Sequence, residues 1–301
     1  MELLQFEHEI PPFARMSWVS KEVKDQWEAR MQKACKVYSR LELETVKHGI
    51  RDCTTRHISG NNLEYEMEQL AKDGLVFLPI RKVGTYSGFA HKHPPVLQGK
   101  PWAYYGVVSK EPEKAWLFSH SSNNNSKVDH ETIGQLLGYP KCCRDFFDSV
   151  WLDGYIDPVW QQALNSKEEN IKNKKEQFIR VKDTVNHENN VMLRYIGVRI
   201  VPNIPCSLDC SHSLENARKW IELGKELNLE GVDDLIYLLK LPVEWDCQKG
   251  IAYISTPLFK IETNSMTCYP KHVVQKEGTE FPKGTPLGNK FPWTEAWKMI
   301  K

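Results

Sequence analysis

The sequence predicts an α+β protein: a small mixed or antiparallel sheet packed with several helices, and a cysteine site at two helix N-termini. Three observations point there. Apolar residues recur at three- and four-residue intervals over Lys21 to about His48 and over Leu214–Leu227, the spacing of one-sided helices. Runs rich in Val, Ile, Tyr, Phe and Trp lie between Gly, Pro and Lys-Glu-Pro-Glu turns, the texture of short strands. Two cysteine pairs each follow a proline and precede an amphipathic stretch. The chain has 301 residues, 41% of them hydrophobic, with 10 Trp, 11 Tyr and 11 Phe, which is too much apolar surface for a disordered chain. Forty Lys+Arg face 39 Asp+Glu, so no global basic field argues for nucleic acid or an anionic membrane, and partners must be argued locally.

Taken in order, residues 1 to 19 read as an irregular lead-in and Ser20 as the N-cap of a long helix. Val23, Trp27, Met31, Ala34, Tyr38, Leu41 and Val46 mark its buried face, with Cys35 among them as a small hydrophobe. A second helix is predicted over Leu63–Lys72, capped by Asn61 or Asn62 and stopped by Gly74. Strands are predicted at Leu75–Val83, Trp102–Lys110 and Ala115–Ser119, the last two as a hairpin. Asp129 should cap a short helix ending at Gly138, and Pro140 should open another with Phe146, Phe147, Val150 and Trp151 inside. The polar stretch from Asn165 to Asn190 reads as a solvated helical insertion. Val198–Val201 reads as a strand, and Ile251–Ile261 as a strand interrupted by Thr256-Pro257. The proline-containing tail should run extended over the body. The expected organisation is a helical region over 1–73 and an α+β cysteine-motif domain over 74–301, or the two as one compact unit.

Eight cysteines in 301 residues are too dilute for a disulfide framework. The amino-terminal segment lacks the cations of an export signal, and no apolar run approaches a membrane span. The expected setting is therefore a reducing cytoplasm, where clustered cysteines point to metal or redox chemistry. Gly138-Tyr139-Pro140-Lys141-Cys142-Cys143 and Ile204-Pro205-Cys206-Ser207-Leu208-Asp209-Cys210-Ser211-His212 are the two clusters. At a helix start, unpaired N–H groups and the helix dipole stabilise thiolate, the form that binds metal. Cys-Cys with Cys-x3-Cys fits the usual zinc knuckle spacing poorly, which favours an iron–sulfur cluster of the 4Fe-4S type. Zinc and a metal-free dithiol site remain as alternatives.

The segment Ile133-Gly-Gln-Leu-Leu-Gly-Tyr-Pro-Lys-Cys-Cys-Arg-Asp-Phe-Phe147, with Ile204-Pro-Cys-Ser-Leu-Asp-Cys210, resembles a family of uncharacterised prokaryotic and phage proteins. That family carries a Gly-Tyr-Pro-x-Cys-Cys motif and a later Pro-Cys-Ser-x-x-Cys motif. Gly250–Lys260 is similar too, so the resemblance covers roughly residues 100 to 270. A position expected to hold His just before Pro205 is Asn203 or Ile204 here. The family has no assigned activity, so the resemblance implies that the four cysteines belong together without implying a reaction. In motif alone the pattern also resembles four-iron reductases of modified nucleosides and of disulfides.

Other candidates are secondary. His212 could protonate a substrate or bond a ligand sulfur, and Arg144 and Lys141 could balance a thiolate site or grip an acidic substrate. His91 and His93, on an extended loop, could face one metal. Cys247 is expected in a turn whose acids, Glu244 and Asp246, disfavour its thiolate; Cys53 and Cys268 have no spaced partners. Phosphate-loop, dinucleotide, serine-hydrolase and zincin motifs are absent, as is the Cys-x3-Cys-x2-Cys run of radical enzymes. Three functions follow. The first is an iron–sulfur redox or sulfur-transfer enzyme acting on a small molecule or nucleobase. The second is a zinc-stabilised nucleic-acid or protein binding module without catalysis, reading nucleic acid through Lys172–Lys182 with Tyr104, Tyr105 and Trp116 as stacking rings. The third is a metal-free thiol oxidoreductase using Cys142 or Cys143.

Overall fold

A computed structural model describes residues 14–84, 96, 98–99, 101–123, 128–152, 158–167, 171–175, 178–181, 186–248 and 251–264, and short strands at 273–275, 279–280, 292–293 and 297–299. The fold is α+β, with helices packed on two antiparallel sheets. The larger sheet has six strands. They are β1 (Ala14–Trp18), β5 (Ile171–Lys175), β6 (Phe178–Val181), β7 (Val243–Gln248), β8 (Ile251–Ser255) and β9 (Phe259–Asn264), in the order β1-β9-β8-β7-β6-β5. The smaller sheet places β4 (Trp102–Ser109) between β2 (Cys53–Ser59) and β3 (Val76–Gly84). The first 73 residues thus give one strand to each sheet.

Helix α1 (Lys21–Lys47) starts where the cap chemistry predicts: Ser20 Oγ accepts from Val23 N at 3.3 Å. Its apolar stripe packs with α7 (Ser211–Glu226) and α8 (Val232–Leu239) on the larger sheet. Leu41, Trp220, Leu238, Trp245, Ile254 and Phe259 lie in the single large core that results. Gly231 makes the close approach of α8 to α1 possible. Its φ is +97°, and a Cβ there would lie 2.7 Å from the Lys33 carbonyl carbon. Gly231→Ala is expected to cost about 2–4 kcal/mol, from left-handed strain together with a backbone clash, measurable as a shift in urea midpoint at unchanged slope.

The smaller sheet is covered on both faces. On one side Ile58, Phe77 and Val108 meet Val46 of α1 and Leu70 of α2 (Leu63–Lys72). On the other, Cys53 and Val107 meet Ala115 and Phe118 of α3 (Pro112–Asn123) and Leu136 of α4 (His130–Leu136). Asp129 caps α4 by accepting from Thr132 N at 3.0 Å, and Gly138, φ +74°, ends that turn. Helix α5 (Lys141–Phe147) follows Pro140, and α6 (Pro158–Leu164) lies beyond it.

Several expectations are corrected. Ala115–Ser119 is helical: Pro112 opens α3, and Ala115 and Phe118 are buried at the i, i+3 spacing of a helix. The stretch expected as a helical insertion is a hairpin, β5–β6, on the edge of the larger sheet; Phe178 to Val181 alternate partly and fully buried, a period of two rather than 3.6. Val198, Ile200 and Val201 are buried but form no strand, and Ile251–Ile261 is two strands. Between those strands Thr256 Oγ1 accepts from Leu258 N at 3.2 Å and Phe259 N at 3.0 Å, which fixes the turn. Part of the lead-in is strand β1, paired with β9. The tail holds short strands within the described residues. No helix among the described residues is long and apolar enough to cross a membrane.

Candidate metal centre

The two cysteine motifs meet. Cys142 and Cys143 occupy the first turn of α5, where Cys143 N and Arg144 N both donate to Pro140 O at 3.0 Å. Cys210 is the N-cap of α7, and Leu214 N donates back to Cys210 O at 3.0 Å. A turn closed by Cys210 N on Ser207 O, at 3.3 Å, brings Cys206 round to the same point. The four Sγ atoms all lie within 4.8 Å of one another. Cys142 Sγ is 3.9 Å from Cys143 Sγ and 3.7 Å from Cys210 Sγ, and Cys143 Sγ is 3.6 Å from Cys210 Sγ. These separations are far longer than a disulfide, and the thiols are free. Cys143 and Cys210 are buried, whereas Cys142 and Cys206 are half-buried and give the cluster an open side.

Four thiols this close cannot all ionise without a cation. The charge settles on Cys210, whose pKa is lowered to about 2 by hydrogen bonds from Cys143 and Cys206, with a further one from Ser213 N. Cys143 is pushed well up by donating to Cys206 and Cys210 and by burial. At Cys206 the bond with Cys143 lowers the pKa, but donation to Cys210 and burial outweigh it and raise the value to about 12. Burial raises Cys142. A bound divalent cation would replace these shared protons, so metal uptake releases protons and strengthens as pH rises.

The Pro-Cys-Ser loop is held by a buried polar network. Asn189, 0% exposed, donates to Leu208 O at 3.1 Å and to Cys210 O at 3.0 Å. Gln162 donates to Asn189 O at 2.8 Å. Ser166 Oγ donates to Gln162 O and accepts from Leu208 N, both at 2.8 Å. Asp209 accepts from Lys167 N at 2.8 Å and from Asn186 at 3.0 Å, and Asn165 donates to Cys206 O at 3.1 Å. Apart from Asp209, which lies within the cysteine motif, these supporting residues carry no sequence signal, because they come from the end of α6 and the polar 165–190 stretch that reads as surface.

Of the expected accessory residues, His212 is exposed, with Nδ1 3.8 Å from Cys142 Sγ on the open side. Arg144 grips Glu131 with two bonds, of 3.0 and 2.7 Å, and donates to Tyr139 O at 2.5 Å. That arrangement ties α4 to the start of α5, and Gly134 gives it room, since a Cβ there would collide with Arg144. Lys141 pairs with Asp145 on the surface at 2.8 Å. Cys247 lies in strand β7 opposite Ala252 rather than in a turn. His91, His93 and Cys268 lie outside the described residues.

The basic stretch and the rings proposed to stack with it lie apart. Within Lys172–Lys182, Arg180 is ion-paired with Glu244. Tyr104 and Tyr105 are on opposite faces of β4, the first edge-on to Trp102 at 5.1 Å and the second against His57 at 5.2 Å. Trp116 lies on α3, stacked on His120.

Cys35 and Cys53 are separate from the cluster. Burial raises each to about 11, and Cys35 Sγ donates to Ile196 O at 3.2 Å. Between pH 9 and 11 the unfolded chain loses the Cys35 proton before the folded one does. Stability is therefore intact below about pH 9 and should fall above it by up to about 1.4 kcal/mol per pH unit. Denaturant titrations at pH 8 to 10.5 should show a flatter decline in Cys35→Ala.

Compared with models of protein families, with curated proteins and with solved structures, the chain matches none. The site is therefore read from its own chemistry.

Proposed function

We propose that Cys142, Cys143, Cys206 and Cys210 bind one tetrahedral ion, zinc, which clamps α5 to α7 and makes the protein a zinc-stabilised binding module. The observation that carries this reading is the sulfur spacing. A tetrahedron with metal–sulfur bonds of about 2.3 Å has edges of about 3.8 Å. The spacings of 3.6, 3.7 and 3.9 Å among Cys142, Cys143 and Cys210 match that edge, and Cys206 Sγ lies within 4.8 Å of each of them. The four-iron cluster expected from the sequence ends each thiolate on its own iron, so its sulfurs are spread by the breadth of the cube. The same spacing supports a single ion over that cluster. Two buried and two half-buried thiolates fill all four positions, the arrangement of structural rather than catalytic zinc. Backbone donors from Ser213 to Cys210 and from Cys206 to Cys143 offset part of the thiolate charge.

Cobalt substitution tests the geometry. Protein loaded with Co²⁺ should show the intense visible bands of a tetrahedral thiolate site, lost in Cys206→Ser, whereas weak octahedral bands would reject it. Arg144 acts on the centre by positioning. Arg144→Gln is expected to cost about 1–2 kcal/mol of stability, by leaving Tyr139 O without its donor and removing the pair with the exposed Glu131, and to weaken metal affinity by about tenfold. A competition titration against a chromogenic chelator measures the second effect.

A further inference from the structure

A second cluster gathers around the C-terminal half of α1, with Trp220 of α7 and two residues, Tyr139 and Arg199, from the segments that precede the cysteine motifs. Arg51, just after α1, has a side chain only 2% exposed. Its guanidinium donates to Thr45 Oγ1 at 3.0 Å and Glu42 O at 2.7 Å, and lies 4.8 Å from the centre of the Trp220 ring. Trp220 stacks on Tyr38 at 5.9 Å, and the Arg199 guanidinium lies 4.1 Å from the Tyr38 ring centre. Arg199 is half-buried and makes no hydrogen bond or ion pair among the described residues.

Tyr139, from Gly-Tyr-Pro, joins the same cluster. Gly138 packs on Arg51 so closely that a Cβ would lie 3.0 Å from the Arg51 Cβ, and Asn216 of α7 donates to Gly138 O at 3.2 Å. The Tyr139 phenol senses the charges of Arg51, Glu42 and Arg199, and its hydroxyl makes no hydrogen bond among the described residues. The one carboxylate of the group, Glu42, accepts from Tyr38 Oη at 2.7 Å and stands 3.9 Å from Arg51.

Two guanidinium groups, Arg51 buried and Arg199 half-buried, face one carboxylate, so the group carries a net positive charge that an anion would share favourably. Guanidinium and phenol O–H are donors that suit an oxyanion, and Arg in particular presents a planar fork to carboxylate or phosphate. We propose that Arg199, Arg51 and Tyr139 form a subsite for the oxyanion of a small molecule, a phosphate or a carboxylate. Tyr139 and Arg199 lie in the segments that precede the two cysteine motifs. The subsite stands on these residues whether or not the thiols hold a metal.

Isothermal titration calorimetry of the full-length protein with inorganic phosphate, and separately with succinate, tests it, with sodium chloride at matched ionic strength as the control. Saturable binding is expected in at least one arm, and the arm that responds names the source of the oxyanion. Arg199→Gln should weaken that binding by at least about tenfold and Tyr139→Phe by about tenfold, each having lost one charge-assisted or phenolic donor. Arg40→Gln, an exposed position on α1, should leave it unchanged. Circular dichroism melts show that the variants fold. No saturable binding in either arm overturns the proposal, as does a folded Arg199→Gln that binds like wild type.

Discussion

Replacing Cys210 with serine is expected to abolish tight metal binding and to lower the melting temperature of the metal-loaded protein by about 10 °C. Cys210 is the thiol on which the others converge, 3.7 Å from Cys142 Sγ and 3.6 Å from Cys143 Sγ, and it is only 7% exposed. A serine hydroxyl is shorter and stays protonated, so it supplies neither the reach nor the charge of the thiolate. An ion present at about a thousand times its dissociation constant stabilises the folded state by about 4 kcal/mol, and a chain of this size moves by about 2–4 °C for each kcal/mol. Small zinc domains unfold outright without metal. This chain instead has a large core independent of the thiols, built around Trp245 and Phe259, so the expected outcome is a lower melting point. Chelator-treated wild type should melt close to Cys210→Ser, because both report the same metal-free fold. A variant that melts with metal-loaded wild type would show that the thiols stabilise nothing.

Asn189→Ala is expected to cost about 3 kcal/mol and to weaken metal affinity by 10- to 100-fold. The Asn189 amide is the shared donor to Leu208 O and Cys210 O, and the side chain is fully buried. Alanine would leave Leu208 O without a partner and Cys210 O with Leu214 N alone, and would open a small void beside the loop that positions Cys206 and Cys210. Stability comes from denaturant unfolding in chelator, and affinity from zinc competition, so the two effects separate. Asn189→Asp keeps the shape but turns a donor into an acceptor, and should be at least as damaging. A purely local stability role would lower the first measurement and leave the second unchanged.

What the sequence reveals about this fold follows from the range of the forces involved. The caps at Ser20 and Asp129, the end of the turn at Gly138 and the buried face of α1 depend on residues within one or two turns, and they are readable locally. The segment Ala115–Ser119 misleads because five apolar-rich residues fit either period, and only Pro112, lying just upstream, marks the helix. The β5–β6 hairpin misleads for the opposite reason: a charged edge strand carries little alternation, and its identity comes from pairing with β7, some 65 residues away. At the site, the shared proline and helix-start context of Cys142, Cys143, Cys206 and Cys210 is legible. Their spacing in space, which bears on one ion against a cluster, is not. Asn189, Gln162 and Ser166 are invisible in sequence because their roles are hydrogen bonds to backbone carbonyls and amides of a distant loop.

The most direct test of a single-ion cysteine centre is the metal and acid-labile sulfide content of protein purified without oxygen, read together by native mass spectrometry and elemental assay. One zinc per chain, no labile sulfide, and protection of Cys142, Cys143, Cys206 and Cys210 from alkylation until chelator is added is the result expected. Iron and sulfide in equal amounts, with the brown colour of a cluster, would contradict it, as would metal-free protein whose four thiols alkylate at the rate of an exposed cysteine.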